Sequence, residues 1–212
     1  MLQVDVFVKH AEEYDRWFDE HKAVYESELQ AIKQQMLKLP SNIHGIEVGL
    51  GTGRFSADLG IKEGIEPVEA MAKMAAKRGV ETMPGTAERL PYRDLHFDFV
   101  LFVTICHLDN VITAFKETHR VLKKGGAIMV AFLDKDQVIA QAYEAKKATS
   151  HFYKHATFYT IQRISDLLKK AGFKDFEYTQ TLFGNLDDIV ELQDPKEGYG
   201  EGSFVVIQAI KK

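Results

Sequence analysis

Cysteine is nearly absent: the chain has 212 residues and one thiol, Cys106. That excludes a disulfide framework and a cysteine-based zinc site. Long apolar runs are missing as well. The longest, 99–106, contains Thr104 and falls far short of the ~20 residues that span a bilayer. The opening Met1-Leu2-Gln3-Val4-Asp5 carries an acid at position five and no apolar core, so no signal peptide is expected. An excess of basic charge is lacking too, with 27 Lys and Arg against 31 Asp and Glu, a net charge of −4. Such a chain has no global attraction for a phosphate backbone, so no nucleic-acid partner is expected. A cytoplasmic protein without membrane insertion, monomer or homodimer, is the expectation.

What is present suffices for a packed core. Hydrophobic residues make up 45% and charged residues 27%, which excludes disordered and low-complexity classes. The length fits one domain, expected over 1–212. Tyr14, Phe18, His21, Tyr25, Leu29, Ile32 and Met36 recur at steps of three and four. That spacing predicts one long amphipathic helix, a cap over 1–40 ended by Pro40-Ser41-Asn42.

A regular alternation follows. Strands are expected at 43–48, 61–65, 80–83, 97–104 and 127–132. Between them lie a short helix at 54–59 closed by Gly60, a helix entered at Pro67, and a helix capped by Asp109 and stopped by Gly125-Gly126. Strands alternating with helices imply an α/β fold with a parallel sheet. The rhythm breaks at 134–157, a polar helical insertion beyond the fifth strand, where ligands bind in such sheets. Thr160 then opens a helix that Gly172 ends, and 173–182 and 204–210 form an antiparallel pair.

The sharpest motif is Glu47-Val48-Gly49-Leu50-Gly51-Thr52-Gly53, a strand running into a glycine turn. Glycines let a backbone approach a ligand closely, and a helix start offers free N–H groups. Glu66 lies 19 residues after Glu47, close to the separation of about 20 expected for an acid that accepts from ribose hydroxyls. An adenosine-containing ligand is implied. The third glycine of a dinucleotide fingerprint would fall at Arg54, and Glu47 would repel a pyrophosphate. A ligand bearing positive charge and ribose without phosphate fits instead, and S-adenosylmethionine is such a molecule.

With three further blocks, the chain resembles class I S-adenosylmethionine-dependent methyltransferases of the small ubiquinone/menaquinone-methylating type. They are Gly64-Ile65-Glu66-Pro67, Gly85 to Tyr92 leading into Phe97-Asp98-Phe99-Val100, and Glu117 to Gly126. The match covers roughly 40–212, and Tyr14 to Phe18 resembles the family's cap helix. The resemblance implies a Rossmann-like seven-stranded sheet, mostly parallel with an antiparallel last strand and helices on both faces. It implies that Glu47 and the Gly49, Gly51 and Gly53 backbone hold the methionine end. Glu66 would hold the ribose, Pro67 and Val68 would flank the adenine, Thr86-Ala87-Glu88 would run along its edge, and Thr104 would pass under the sulfonium. Family members usually carry Asp where this chain has Thr86.

Methyl transfer is an in-line displacement in which a protein mainly aligns the acceptor and excludes water. No catalytic triad is required, and no metal is expected. His107 is the candidate substrate-facing residue, against a plain loop histidine with a backbone partner. Tyr14 and Trp17 are candidates to close over the cofactor, against simple core contacts. Tyr25, His21, Tyr153, His151 and His155 are further pocket candidates. Cys106 reads as a small buried hydrophobe. The segment 184–202 holds six acids and one base, Lys196. It reads as a solvated loop, or as acids that draw in a cationic small-molecule acceptor such as an amine. A nicotinamide-dependent oxidoreductase and a non-catalytic S-adenosylmethionine-binding or protein-interaction module are the alternatives.

Overall fold

A computed structural model describes residues 5–212. Met1 to Val4, on which the leader reading rests, lie outside the described residues. The order of elements is α1 (Asp5–Glu20), α2 (Lys22–Met36), β1 (Gly45–Val48), α3 (Arg54–Leu59), β2 (Glu63–Ile65), α4 (Glu69–Lys77), β3 (Glu81–Met83) and β4 (Phe97–Val103). Then come α5 (Val111–Val121), β5 (Leu122–Leu133), α6 (Val138–Ala145), α7 (Ile161–Ala171), β6 (Phe173–Thr181), β7 (Lys196–Glu197) and β8 (Phe204–Lys211).

The strands form one sheet in the order β3-β2-β1-β4-β5-β8-β6-β7. Neighbours from β3 to β5 run parallel, and β8 runs antiparallel between β5 and β6. This is the expected Rossmann-like sheet with an antiparallel last long strand. One addition stands against the expected seven strands: the two-residue β7 pairs with β6 at Thr179 and Gln180 and makes an eighth.

Side-chain alternation divides the core. Val100, Phe102, Ile128 and Val130 pack on one face with α5 and α7. Phe99, Leu101, Met129 and Val206 pack on the other with α2. Both faces are covered, which is why β4 reads as an unbroken apolar run from Phe99 onward. Gly53 fits the same logic: its φ is +78°, and a Cβ there would stand 2.7 Å from the Ala75 Cβ of α4.

Three expectations are corrected. The predicted single helix over 14–36 is two, because His21 (φ −117°, ψ 48°) leaves the helical region. Its Nδ1 donates to the Trp17 carbonyl at 3.0 Å, and the apolar stripe continues across the break. Asn110, not Asp109, caps α5, accepting from the Thr113 N–H at 3.1 Å. Glu88 fixes that register by accepting the Asn110 N–H at 3.0 Å. The same helix ends at Val121, ahead of Gly125-Gly126. Lys211 Nζ takes the carbonyls of His119 and Leu122 at 2.5 and 2.7 Å, so the last turn is capped before the glycines are reached.

The cap is fastened by a charge cluster. Asp15 of α1 accepts from Thr52 Oγ1 (2.6 Å), Arg54 Nε and Nη2 (2.8 and 2.9 Å) and Arg78 Nη2 (2.8 Å). Arg54 also grips Asp19 at 2.7 and 2.8 Å. Burial would raise the Asp15 carboxyl, but bonds from Arg54, Thr52 and Arg78 outweigh it and hold it down at about 2. A depressed carboxyl stabilises the fold at every pH above its unfolded value, and that contribution disappears as pH falls through about 2. Arg54→Ala strips Asp15 of half its donors and is expected to cost about 2–4 kcal/mol in urea unfolding at pH 7. A loss below about 0.5 kcal/mol would reduce the cluster to ordinary surface pairing.

Candidate active site

The sheet order reverses at β1, whose neighbours β2 and β4 leave its carboxyl end in opposite directions. Such a crevice is where open α/β sheets bind ligands. Here it is a cavity of about 600 Å³, roofed by α1 and α2 and walled by the 134–157 insertion. The insertion is tied down where Thr157 N–H donates to the Cys106 carbonyl at 2.8 Å.

The floor is the glycine turn. Gly49 and Gly51 take φ of +75° and +58°. A Cβ on Gly51 would meet the Tyr14 ring at 3.7 Å, so the cap tyrosine rests directly on the turn. Glu66 is buried beside it. One carboxylate oxygen accepts the Gly51 N–H at 2.9 Å and the other the Val68 N–H at 2.8 Å. Burial raises its pKa, and the two backbone bonds oppose the rise. A carboxylate accepts about four hydrogen bonds, so two positions stay free for a ligand.

Pro67, Thr86, Ala87 and Glu88 continue the wall, and Thr104 lies at the end of β4. Thr104 and Leu182 both line the cavity with non-glycine φ of 62°. Such backbone costs about 1–3 kcal/mol per residue and concentrates at functional sites.

Two expected cofactor residues do not line the cavity. Glu47 is buried behind the turn and accepts from Ser56 Oγ at 2.5 Å. Burial pushes its carboxyl up to about 8 against the Ser56 bonds, so it supports the turn from below as a neutral group at pH 7. Gly53 is turned against α4. Tyr25 is also displaced from its expected place. Its hydroxyl donates to Asp58 at 2.7 Å and its ring packs on Phe18 and Phe55.

The outer half is aromatic. His107, Trp17 and Tyr153 line it. The His107 ring meets Phe7 edge-on at 5.0 Å and lies parallel to Tyr153 at 6.3 Å. Burial pushes His107 down to about 4, so it is neutral at pH 7, and its Nδ1 has no hydrogen-bond partner among the described residues. Trp17 stacks on His21 at 4.4 Å, and Tyr153 on Tyr143 at 4.4 Å. His151 stacks instead on His10 at 5.3 Å, and His155 is exposed. Cys106 is buried, its thiol pushed up to about 12 by desolvation. Of loop 184–202, Leu186 alone reaches the cavity. Three of its acids have partners outside the cavity, Asp188 with Asn185, Glu197 with Lys38 and Glu201 with Lys196.

Glu28 of α2 went unnoticed in the sequence. It is buried, lines the cavity and has no hydrogen-bond or ion-pair partner among the described residues. Desolvation alone pushes it up to about 8. The signal was present: Glu28 stands four residues after Val24 and four before Ile32, on the helix's apolar face.

The match to known families agrees with this geometry. Residues 46–130 match the methyltransferase-domain family model. An uncharacterized protein of Methanocaldococcus jannaschii is 42% identical over 209 residues, covering 98% of this chain and all of its own length. A demethylmenaquinone methyltransferase of Lactococcus lactis is 24% identical over 77% of this chain and 66% of its own. A solved structure from Thermotoga maritima, described as a SAM-dependent methyltransferase and "possible histamine N-methyltransferase", superposes with a TM-score of 0.94. It is 46% identical over 99% of this chain and 100% of that one. The chain belongs to the S-adenosylmethionine-dependent methyltransferases. Its cofactor is S-adenosylmethionine, and the nicotinamide alternative falls away. Among the described residues no helix is long and apolar enough to cross a membrane.

Glu28 yields a prediction. A carboxyl whose folded pKa lies above its unfolded value of 4.5 stabilises below 4.5 and loses that contribution as pH rises through about 8. Glu28→Gln is therefore expected to stabilise the ligand-free protein by roughly 1–3 kcal/mol more at pH 8.5 than at pH 5. Urea unfolding at both values checks this, and a pH-independent difference would contradict it.

Proposed function

We propose that this protein transfers the methyl group of S-adenosylmethionine by in-line displacement to a small-molecule acceptor, an amine, held in the aromatic half of the cavity. The supporting observation is the Glu66 carboxylate, fixed by two backbone N–H groups at the glycine turn with its remaining acceptor positions free. A nucleoside presenting two ribose hydroxyls fits that arrangement. Pro67 and Val68 would flank the adenine, with Thr86, Ala87 and Glu88 along its edge. The Gly49 and Gly51 backbone and Thr104 would bound the methionine and sulfonium end. The cofactor brings an already activated methyl group, so the chain contributes alignment and exclusion of water.

The cavity volume lies within the usual range of about 300–1,000 Å³ for ligand pockets. Tyr14 resting on Gly51 would close the chamber over the cofactor. His107, neutral and with an unpartnered Nδ1, lines the acceptor region and would orient an acceptor through a hydrogen bond there. Amine chemistry is favoured by the cavity wall, which carries Glu13, Glu20, Glu28, Glu66, Glu88 and Asp109 against a single lysine, Lys146. The description of the Thermotoga maritima relative as a possible histamine N-methyltransferase points the same way. Small-molecule acceptors fit the enclosure by α1, α2 and the insertion better than a protein segment does.

Glu66→Ala is expected to weaken binding of S-adenosylhomocysteine by about 1–3 kcal/mol, the cost of leaving ribose hydroxyls without their acceptor. Titration calorimetry measures it, and an unchanged affinity would refute the ribose assignment.

A further inference from the structure

We infer that Glu28 is the specificity-determining residue of the acceptor subsite, holding the ammonium group of an arylalkylamine. The inference rests on the methyltransferase reading and gives its acceptor a class and a point of attachment.

Glu28 is one of few buried ionisable groups here without a partner. Asp15 has Thr52, Arg54 and Arg78; Glu66 has two backbone N–H groups; Glu47 has Ser56. Glu28 has none among the described residues, and desolvation is the sole cause of its raised pKa. An isolated buried carboxyl is a standing cost to the free protein. It is offset when a ligand brings the missing charge and hydrogen-bond donors.

The surroundings define that ligand. Tyr14 of α1 and Tyr143 and Tyr153 of the insertion line the same cavity as Glu28, so three tyrosines from two segments share the chamber with it. Tyr143 and Tyr153 are stacked on each other, and Phe158 closes the stack behind them. A carboxylate among aromatic faces suits an organic ammonium ion, which gains an ion pair and cation–π attraction together. The apolar body of such a ligand finds Phe7, Phe152 and Trp17 along the rest of the wall. A bound ammonium ion draws Glu28 into its ionised form, whereas an anionic acceptor opposes that ionisation and a neutral alcohol brings no charge to favour it.

The test is titration calorimetry at pH 7.5 on the full-length protein, with and without S-adenosylhomocysteine. The probes are 2-phenylethylamine, tyramine and histamine, set against 2-phenylethanol and 3-phenylpropanoate. At least one amine is expected to bind ten-fold or more tighter than the alcohol, with the carboxylate weaker still. Glu28→Gln is expected to lose ten-fold or more of that amine affinity and to keep its affinity for S-adenosylhomocysteine, and Glu28→Asp is expected to recover part of the loss. Equal binding of amine and alcohol, no binding by any of the three amines, or undiminished amine binding in Glu28→Gln would each overturn the inference. Charge-selective amine binding without S-adenosylhomocysteine binding would support the Glu28 subsite while overturning the methyltransferase reading.

Discussion

One carboxylate organises the upper half of this molecule. Asp15 receives four hydrogen bonds, from Thr52 in the glycine turn, twice from Arg54 at the start of α3, and from Arg78 at the end of α4. Three segments of the nucleotide-binding half thereby meet on one residue of the cap. Charged groups leave water at a cost, and the cost is recovered here because every acceptor position of the carboxylate is filled. Tyr14, the neighbouring residue, is set down on Gly51 by the same attachment. The roof of the cavity therefore depends on a fixed ionic contact with the floor.

That arrangement divides the chamber chemically. Near the sheet the wall is backbone and carboxylate, with the glycine turn and Glu66 held in register by main-chain bonds. Farther out it is aromatic, with Trp17 from α1, His107 from the turn after β4, and Tyr143 and Tyr153 from the insertion. Desolvation drives the pKa of His107 down and that of Glu28 up, so both are mainly uncharged in the empty cavity at pH 7. Two uncharged but titratable groups in an enclosed aromatic space suit a ligand that brings its own positive charge. The overall negative charge gains a location from this. Six carboxylates stand in the cavity wall, whereas none of those in loop 184–202 lines it.

Much of this was legible in the sequence because local physics determined it. The apolar run of β4, the glycine turn and the Thr160 and Gly172 caps of α7 all behave as their residue types dictate. The break at His21 is local, its ring turned back onto Trp17 while the apolar stripe runs on. The other misreadings share a cause, which is that long-range contacts overrode a local signal. Glu88, distant in sequence, sets the start of α5 at Asn110. Lys211, from the last strand, ends α5 ahead of its glycines. At the site, Tyr25 shared a face with Tyr14, yet Asp58 draws it away. Arg54 read as a missing third glycine, and its partner Asp15 lies 39 residues earlier, beyond any spacing rule. Glu28 alone left a local trace, a carboxylate on an apolar stripe.

If α1 is a fixed lid, its contacts and those of the glycine turn form one ligand chamber, which hydrogen exchange of the α1 amides, Asp5–Glu20, with and without saturating S-adenosylhomocysteine, reads out. Exchange is expected to slow together in α1 and in the turn at 49–53 when the ligand binds. Slowing confined to the turn, with α1 unchanged, would mean that the lid is not part of the chamber.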